Sequence, residues 1–201
     1  MIETIVLDIG NVLADFGWEQ YLKTCGYDEE MIHNISGATV LNNIWKEWDR
    51  GAIEEEQIVE LCCKQAPEVE QEIRSFLENI SEVVKEYDYS ADFVKLLKEN
   101  GYQVYLLSNY SKLHFENNKK DFKFVDYVDG GIISHEIRHI KPEPAIYEAL
   151  INKYEIDPTR SVFLDDVEIN LEGAKPFGFH TILFRSIEQA KSELRSLGVR
   201  I

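Results

Sequence analysis

The 201-residue chain is poor in cysteine and in positive charge, and it has no long hydrophobic run. Its three cysteines, Cys25, Cys62 and Cys63, are an odd number with two adjacent, so no disulfide framework suggests itself and a reducing cytoplasm is the expected compartment. No stretch nears the roughly 18 to 20 consecutive apolar residues that span a bilayer, and the first residues enter an apolar run without a basic flank or cleavage pattern. A membrane or secreted protein is therefore disfavoured. Lys and Arg total 21 against 37 Asp and Glu, and the net charge of −16 repels polyanions, which argues against a nucleic acid partner. Internal repeats and low-complexity tracts are also lacking. What is present is 44% apolar residues over a length that fits one medium domain, or a core plus an insertion, without covalent staples.

The run Ile5 to Leu7 reads as a buried strand emptying into a turn at Asp8, Gly10 and Asn11. From about Trp18 to Val84 the periodicity is helical: Glu54–Glu56 opens one segment, and Ile73, Phe76, Leu77 and Ile80 mark another. Residues 16–84 hold 15 acidic and 5 basic side chains, so much of the acidity belongs to the solvated face of this block. Beyond it helix and strand alternate. Strands are expected at Val104–Leu107, Val162–Leu164 and Thr181–Phe184; helices are expected at Phe93–Lys98, Ala145–Lys153, Ile169–Lys175 and Ile187–Leu197. Such alternation predicts an α/β fold with a parallel sheet. The N-terminal strand must join that sheet, so residues 16–84 read as an insertion between residues 1–15 and 85–201.

In open parallel sheets the ligand site lies at the carboxyl ends of the strands. The strand ends here carry Asp8, Ser108-Asn109 and Asp165-Asp166, and Lys141 precedes a helix that Pro142 helps to start. Two adjacent acids after Val162-Phe163-Leu164 repel each other unless a cation joins them. The segments Ile5 to Leu13, Leu106 to Asn109, Lys141 to Pro144 and Phe163 to Asn170 resemble, in order and spacing, the four motifs of the haloacid dehalogenase superfamily, most of whose members are magnesium-dependent phosphatases. The resemblance covers essentially the whole chain. It implies a Rossmann-like core with an inserted α-helical cap, and the Asp-x-Gly-Asn-Val start is similar to a subgroup that includes glucose-1-phosphate phosphatases.

The resemblance further implies that Asp8 attacks phosphorus to form an aspartyl-phosphate that water hydrolyses. Mg²⁺ would be held by Asp8, the Gly10 carbonyl and Asp166, with Asp165 and Asn170 supporting them, and the substrate would be a small phosphorylated metabolite, sugar phosphates first. Lys141 would bridge Asp8 and the phosphate, while Ser108 and the amide of Asn109 bind a phosphoryl oxygen. Most relatives carry a second Asp two residues after the nucleophile, as general acid and base. This chain has Gly10 there, which keeps the carbonyl but loses help typically worth ~10²–10⁴-fold in rate. Asp15 is the nearest candidate substitute.

The helical insertion carries Trp18 and the cluster Trp45, Trp48, Arg50 and Gly51, which either meets a small polar phosphate or forms the insertion's core. His135-Glu136-Ile137-Arg138-His139 matches a zinc-protease pattern, but Gly130-Gly131 before it and Pro142 after it leave too short a helix for that mechanism. Two other functions fit parts of the pattern: a metal-independent 2-haloacid dehalogenase using Asp8, and a binding protein that kept the fold without turnover. The Asp165-Asp166 pair and Gly10-Asn11 argue against the former.

Overall fold

The computed structural model describes residues 1–201. Its strands are β1 (Thr4–Leu7), β2 (Ala14–Phe16), β3 (Val84–Glu86), β4 (Gln103–Ser108), β5 (Gly130–Ile133), β6 (Ser161–Asp165) and β7 (His180–Leu183). The helices between β2 and β3 are α1 (Trp18–Thr24), α2 (Glu29–Ala38), α3 (Asn43–Asp49), α4 (Glu55–Gln65), α5 (Glu70–Glu78) and α6 (Ile80–Val83). The remainder are α7 (Ser90–Glu99), α8 (Lys112–Asn118), α9 (Ser134–Ile137), α10 (Pro144–Tyr154), α11 (Glu168–Ala174) and α12 (Ile187–Ser196).

Five strands form one parallel sheet in the order β5-β4-β1-β6-β7. In β1 all four residues are buried, because helices cover both faces of the central strand. Alternate side chains divide the burial. Ile5, Leu7, Val104 and Leu106 face a layer with Phe93, Leu97 and Leu194, whereas Val6, Tyr105, Leu107 and Phe163 face Ile146, Tyr147 and Leu150. A separate cluster from Leu22 to Val83, including Trp45 and Trp48, fills the helical layer α1–α6.

Three features depart from the sequence reading. The Gly130-Gly131 segment is a strand, β5, pairing with β4 so closely that a Cβ on Gly131 would lie 2.8 Å from the Leu106 carbonyl oxygen. Glycine is what this approach requires, although it hides the strand pattern. Moreover, β2 and β3 pair antiparallel, with Ala14 opposite Glu86 and Phe16 opposite Val84, in a ribbon at the two crossings between the sheet and the helical layer. Three residues per strand are too few to show alternation. The periodic segment through Ile80 also breaks at Asn79, between α5 and α6.

Register sets the functional edge. Leu7 lies opposite both Leu106 and Leu164, so Asp8 leaves the sheet level with Leu107 and Asp165, and Ser108 and Asp166 follow one residue later.

Candidate active site

Asp8 is buried at the end of β1. Its Oδ1 accepts the Ile9 amide at 2.7 Å and pairs with Lys141 Nζ at 2.9 Å, while Oδ2 accepts nothing from the protein. Lys141 Nζ also donates to Asp165 Oδ2 at 2.6 Å and lies 5.5 Å from the centre of the Phe163 ring. Asp165 is saturated: its oxygens further accept from Asn170 Nδ2 and the Val167 amide. Asp166 is less buried, and its Oδ2 accepts from Asn11 Nδ2 at 2.9 Å. Asn11 holds a left-handed backbone, φ 53°, which Asn tolerates better than most residues, and its side-chain Oδ1 accepts the Phe16 amide.

Asn109 is a clamp. It accepts the Lys141 amide at 2.7 Å and donates to the Lys141 carbonyl at 3.1 Å, fixing the backbone of the residue whose ammonium reaches Asp8.

The charges follow from burial. Loss of water pushes the Asp8 carboxyl up to about 7; the ammonium of Lys141 lowers it, and Asp165 and Asp166 raise it further. Burial pulls Lys141 down, but the two carboxylates more than restore it, so it stays protonated. Asp166 is raised by burial against the opposing hydrogen bond from Asn11. Asp8, Asp165 and Asp166 each offer an oxygen within 4.8 Å of the others, and the Gly10 carbonyl accepts no hydrogen bond from the protein. Three carboxylates facing one ammonium, with free oxygens on Asp8 and Gly10, form an oxygen-rich set of the kind a hard divalent cation takes.

A cavity of about 190 Å³ lies between this edge and the helical layer. The sheet side contributes Asp8, Gly10, Ser108, Asn109, Lys141 and Asn170, bringing the expected strand-end residues together. Phe16, Trp45, Ile80 and Val84 wall the other side. Trp45 thus belongs to the insertion's core and to the cavity wall at once.

The remaining sequence candidates lie away from this cavity. Asp15 does not line the cavity: it is exposed on β2, near the Tyr87 hydroxyl at 3.4 Å, and the strand's alternation turns it away while Phe16 turns in. Arg50 is held by Glu143 at 2.6 Å and Glu47 at 3.1 Å, and Trp18 packs against the helical core; neither lines the cavity. His135 and His139 take separate partners, the Tyr110 carbonyl and Glu143, because α9 is a single turn ending at left-handed Arg138.

Two lining residues carried no sequence signal. His114 is buried edge-on to Trp48, ring centres 4.2 Å apart, and burial lowers it to about 3, so its imidazole is neutral. Asp49, at the end of α3, directs its carboxyl into the cavity, where burial pushes it up to about 7. Only the packing of α3 against the sheet edge brings it there.

The chain is similar to D-ribitol-5-phosphate phosphatase of Bacteroides thetaiotaomicron, with 26% identity over 198 residues covering 90% of this chain and 91% of that one. Its fold matches that of the HAD family enzyme BT-2542 of the same organism, solved with magnesium and inorganic phosphate, at a TM-score of 0.71 and 25% identity over 93% and 96% of the two chains. The L-2-haloacid dehalogenase of Xanthobacter autotrophicus shares the fold at a TM-score of 0.69 and 18% identity, over 100% of this chain and 85% of that one. Residues 2–178, which carry Asp8, Lys141 and the carboxylate pair, match the haloacid dehalogenase-like hydrolases, and to that family the chain belongs.

Proposed function

We propose that the chain is a Mg²⁺-dependent phosphatase of small phosphomonoesters, sugar or polyol phosphates foremost, acting through an aspartyl-phosphate on Asp8. The observation that carries this reading is the Asp8–Lys141–Asp165 chain, whose Asp8 and Lys141 line the cavity between the sheet edge and the helical layer. Ile9 and Lys141 fix one oxygen of Asp8 and leave the other to attack. Lys141 offsets the repulsion between that carboxylate and an incoming phosphate, and Ser108 offers a hydroxyl at the cavity floor. The apolar wall excludes water during attack.

Asp8, the Gly10 carbonyl and Asp166 would hold Mg²⁺, with Asp165 supporting from beneath Lys141. When bound, the ion supplies charge screening between phosphate oxygens and the acidic edge. The phosphatases and magnesium complexes among similar proteins support the reading. Phe16 and Trp45, ring centres 6.0 Å apart, suit the C–H faces of a small sugar or polyol, with Asp49 and His114 available to its hydroxyls. The three free cysteines suit a reducing compartment.

The test is phosphate release from a panel of phosphomonoesters with Mg²⁺ and with EDTA. Release that stops in EDTA is expected; halide release from 2-haloacids that survives EDTA would replace this reading with a dehalogenase, and silence on the whole panel with a binding protein.

A further inference from the structure

Gly10 leaves a gap with a shape. A Cβ built there meets nothing within 4 Å, so the space from which a side chain would reach the departing oxygen is open. The sheet edge itself holds no spare acid for that space: Asp165 is saturated, Asp166 is tied to Asn11, and Asp15 faces elsewhere. Of the carboxylates, only Asp8 and Asp49 line the cavity, and Asp49 comes from the opposite, helical side.

Asp49 is also positioned. Its carbonyl accepts the hydroxyl of Ser134, which in turn accepts the Tyr110 amide, so the end of α3 is tied to the start of α9 after β5 and, through it, to the loop after β4. The next residue, Arg50, is bound to Glu143 beside Lys141. Two ties from the sheet domain therefore bracket the residue whose carboxyl enters the cavity. The groups around it are the Ser111 amide, which donates to its carboxyl, and Asp8 and Lys141 from the sheet, with the phenol of Tyr110 and neutral His114 nearby.

We propose that Asp49 is the general acid and base of the reaction, supplying from the helical layer the proton transfers that Gly10 cannot make. The inference rests on the phosphatase reading above. In the first step an Asp8 oxygen bonds to phosphorus, the bond to the leaving oxygen breaks, and the Asp49 carboxyl gives its proton to that oxygen, releasing the alcohol. In the second, water attacks the aspartyl-phosphate, the Asp49 carboxylate accepts the water proton, the Asp8 oxygen to phosphorus bond breaks, and phosphate leaves. Asp49 ends as it began, and the net change is ester plus water to alcohol plus phosphate. A neutral carboxyl near pH 7, which burial favours against the opposing hydrogen bond from the Ser111 amide and the Lys141 charge, is the form that can donate. Because Asp49 rides on the helical layer, the acid is present only when that layer is docked.

The experiment compares Asp49→Asn with the wild type on an alkyl phosphate and on 4-nitrophenyl phosphate, whose leaving group needs little protonation. The isosteric amide keeps both the Ser134 hydrogen bond to the Asp49 carbonyl and the Arg50–Glu143 pair, and circular dichroism checks the fold. Expected is a fall in kcat/KM of about 10²–10⁴-fold on the alkyl ester and much less on the aryl ester. The limb of the pH profile that reports the protonated acid should disappear, and Gly10→Asp in the Asp49→Asn background should restore rate selectively on the alkyl ester. Equal losses on both esters, or no loss, would overturn the assignment and leave the phosphatase reading standing; a wild type inactive on every phosphomonoester would remove both.

Discussion

Lys141 Nζ lies 2.9 Å from Asp8 Oδ1, and the same ammonium lies 2.6 Å from Asp165, with all three side chains almost wholly withdrawn from water. Removing one partner of such a group leaves the others buried and uncompensated, typically at about 3–5 kcal/mol. Lys141→Ala should therefore lose activity and also melt well below the wild type. At roughly 2–4 °C per kcal/mol for a chain of this size, the drop should approach or exceed 10 °C in EDTA. Differential scanning calorimetry decides this; an inactive variant with an unchanged melting temperature would mean that the ammonium does not hold the two carboxylates together.

Asn109 acts one step further back, through the two hydrogen bonds that fix the Lys141 backbone. Asn109→Ala removes both, at about 0.5–1.5 kcal/mol each. The expected result is a kcat lowered roughly 10–100-fold, at 1.4 kcal/mol per decade, with the Mg²⁺ concentration for half-maximal rate unchanged. A shifted Mg²⁺ requirement with unaltered kcat would show that Asn109 serves the cation instead.

The contrast between these two residues and Asp49 shows what a sequence can carry. Asp8, Ser108 and Asp165 sit at ends of apolar runs and strand register delivers them to one edge, whereas Lys141 reaches that edge from the turn before α10, so the first three are legible from the pattern and Lys141 from its motif. The sheet's β1, β4, β6 and β7 are legible for the same reason. By contrast β5 is concealed because close packing on Leu106 demands Gly131 where a β-branched residue would have announced a strand. Asp49 and His114 look like ordinary polar positions of amphipathic helices. Their entry into the cavity depends on how α3 and α8 pack over the sheet, which no local period encodes. Asp15 illustrates the converse: it is nearest to Asp8 in sequence among candidate acids, yet one residue of strand alternation points it away.

The protonation of Asp49 has a consequence for stability. Its folded carboxyl sits near 7 against an ordinary value of 3.8, so the folded state binds the proton more tightly than the unfolded state does. Below about pH 4 both states are protonated and nothing is lost; between about 4 and 7 the wild type pays progressively, and above 7 the penalty is complete. Asp49→Asn carries no such penalty. The melting temperature of the variant minus that of the wild type, measured in EDTA, should rise from pH 5 to pH 7 and then level off. A difference that stays flat across this range would mean that the carboxyl is ionised throughout.

Arg50 and Glu143 join the helical layer to the loop of Lys141 at 2.6 Å, with both side chains partly solvated. Exposed and half-exposed ion pairs contribute about 0–1 kcal/mol, so Glu143→Gln should shift the melting temperature by no more than about 4 °C. Its effect on the site should be out of proportion to that change, because the tie holds the last turn of α3, and with it Asp49, over Asp8. Glu143 also accepts from His139, so the neutral amide weakens both links at once. If docking of the helical layer presents the acid, the variant should raise KM several-fold and depress kcat more on alkyl than on aryl phosphates, and added salt should bring the wild type towards the same behaviour by screening the pair. Steady-state kinetics on the two ester classes at low and high ionic strength separate the possibilities. Equal kinetics in variant and wild type would show that the Ser134 tie alone holds α3 in place, whereas a large loss of stability would show that the Arg50–Glu143 pair supports the fold rather than the docking of one helix.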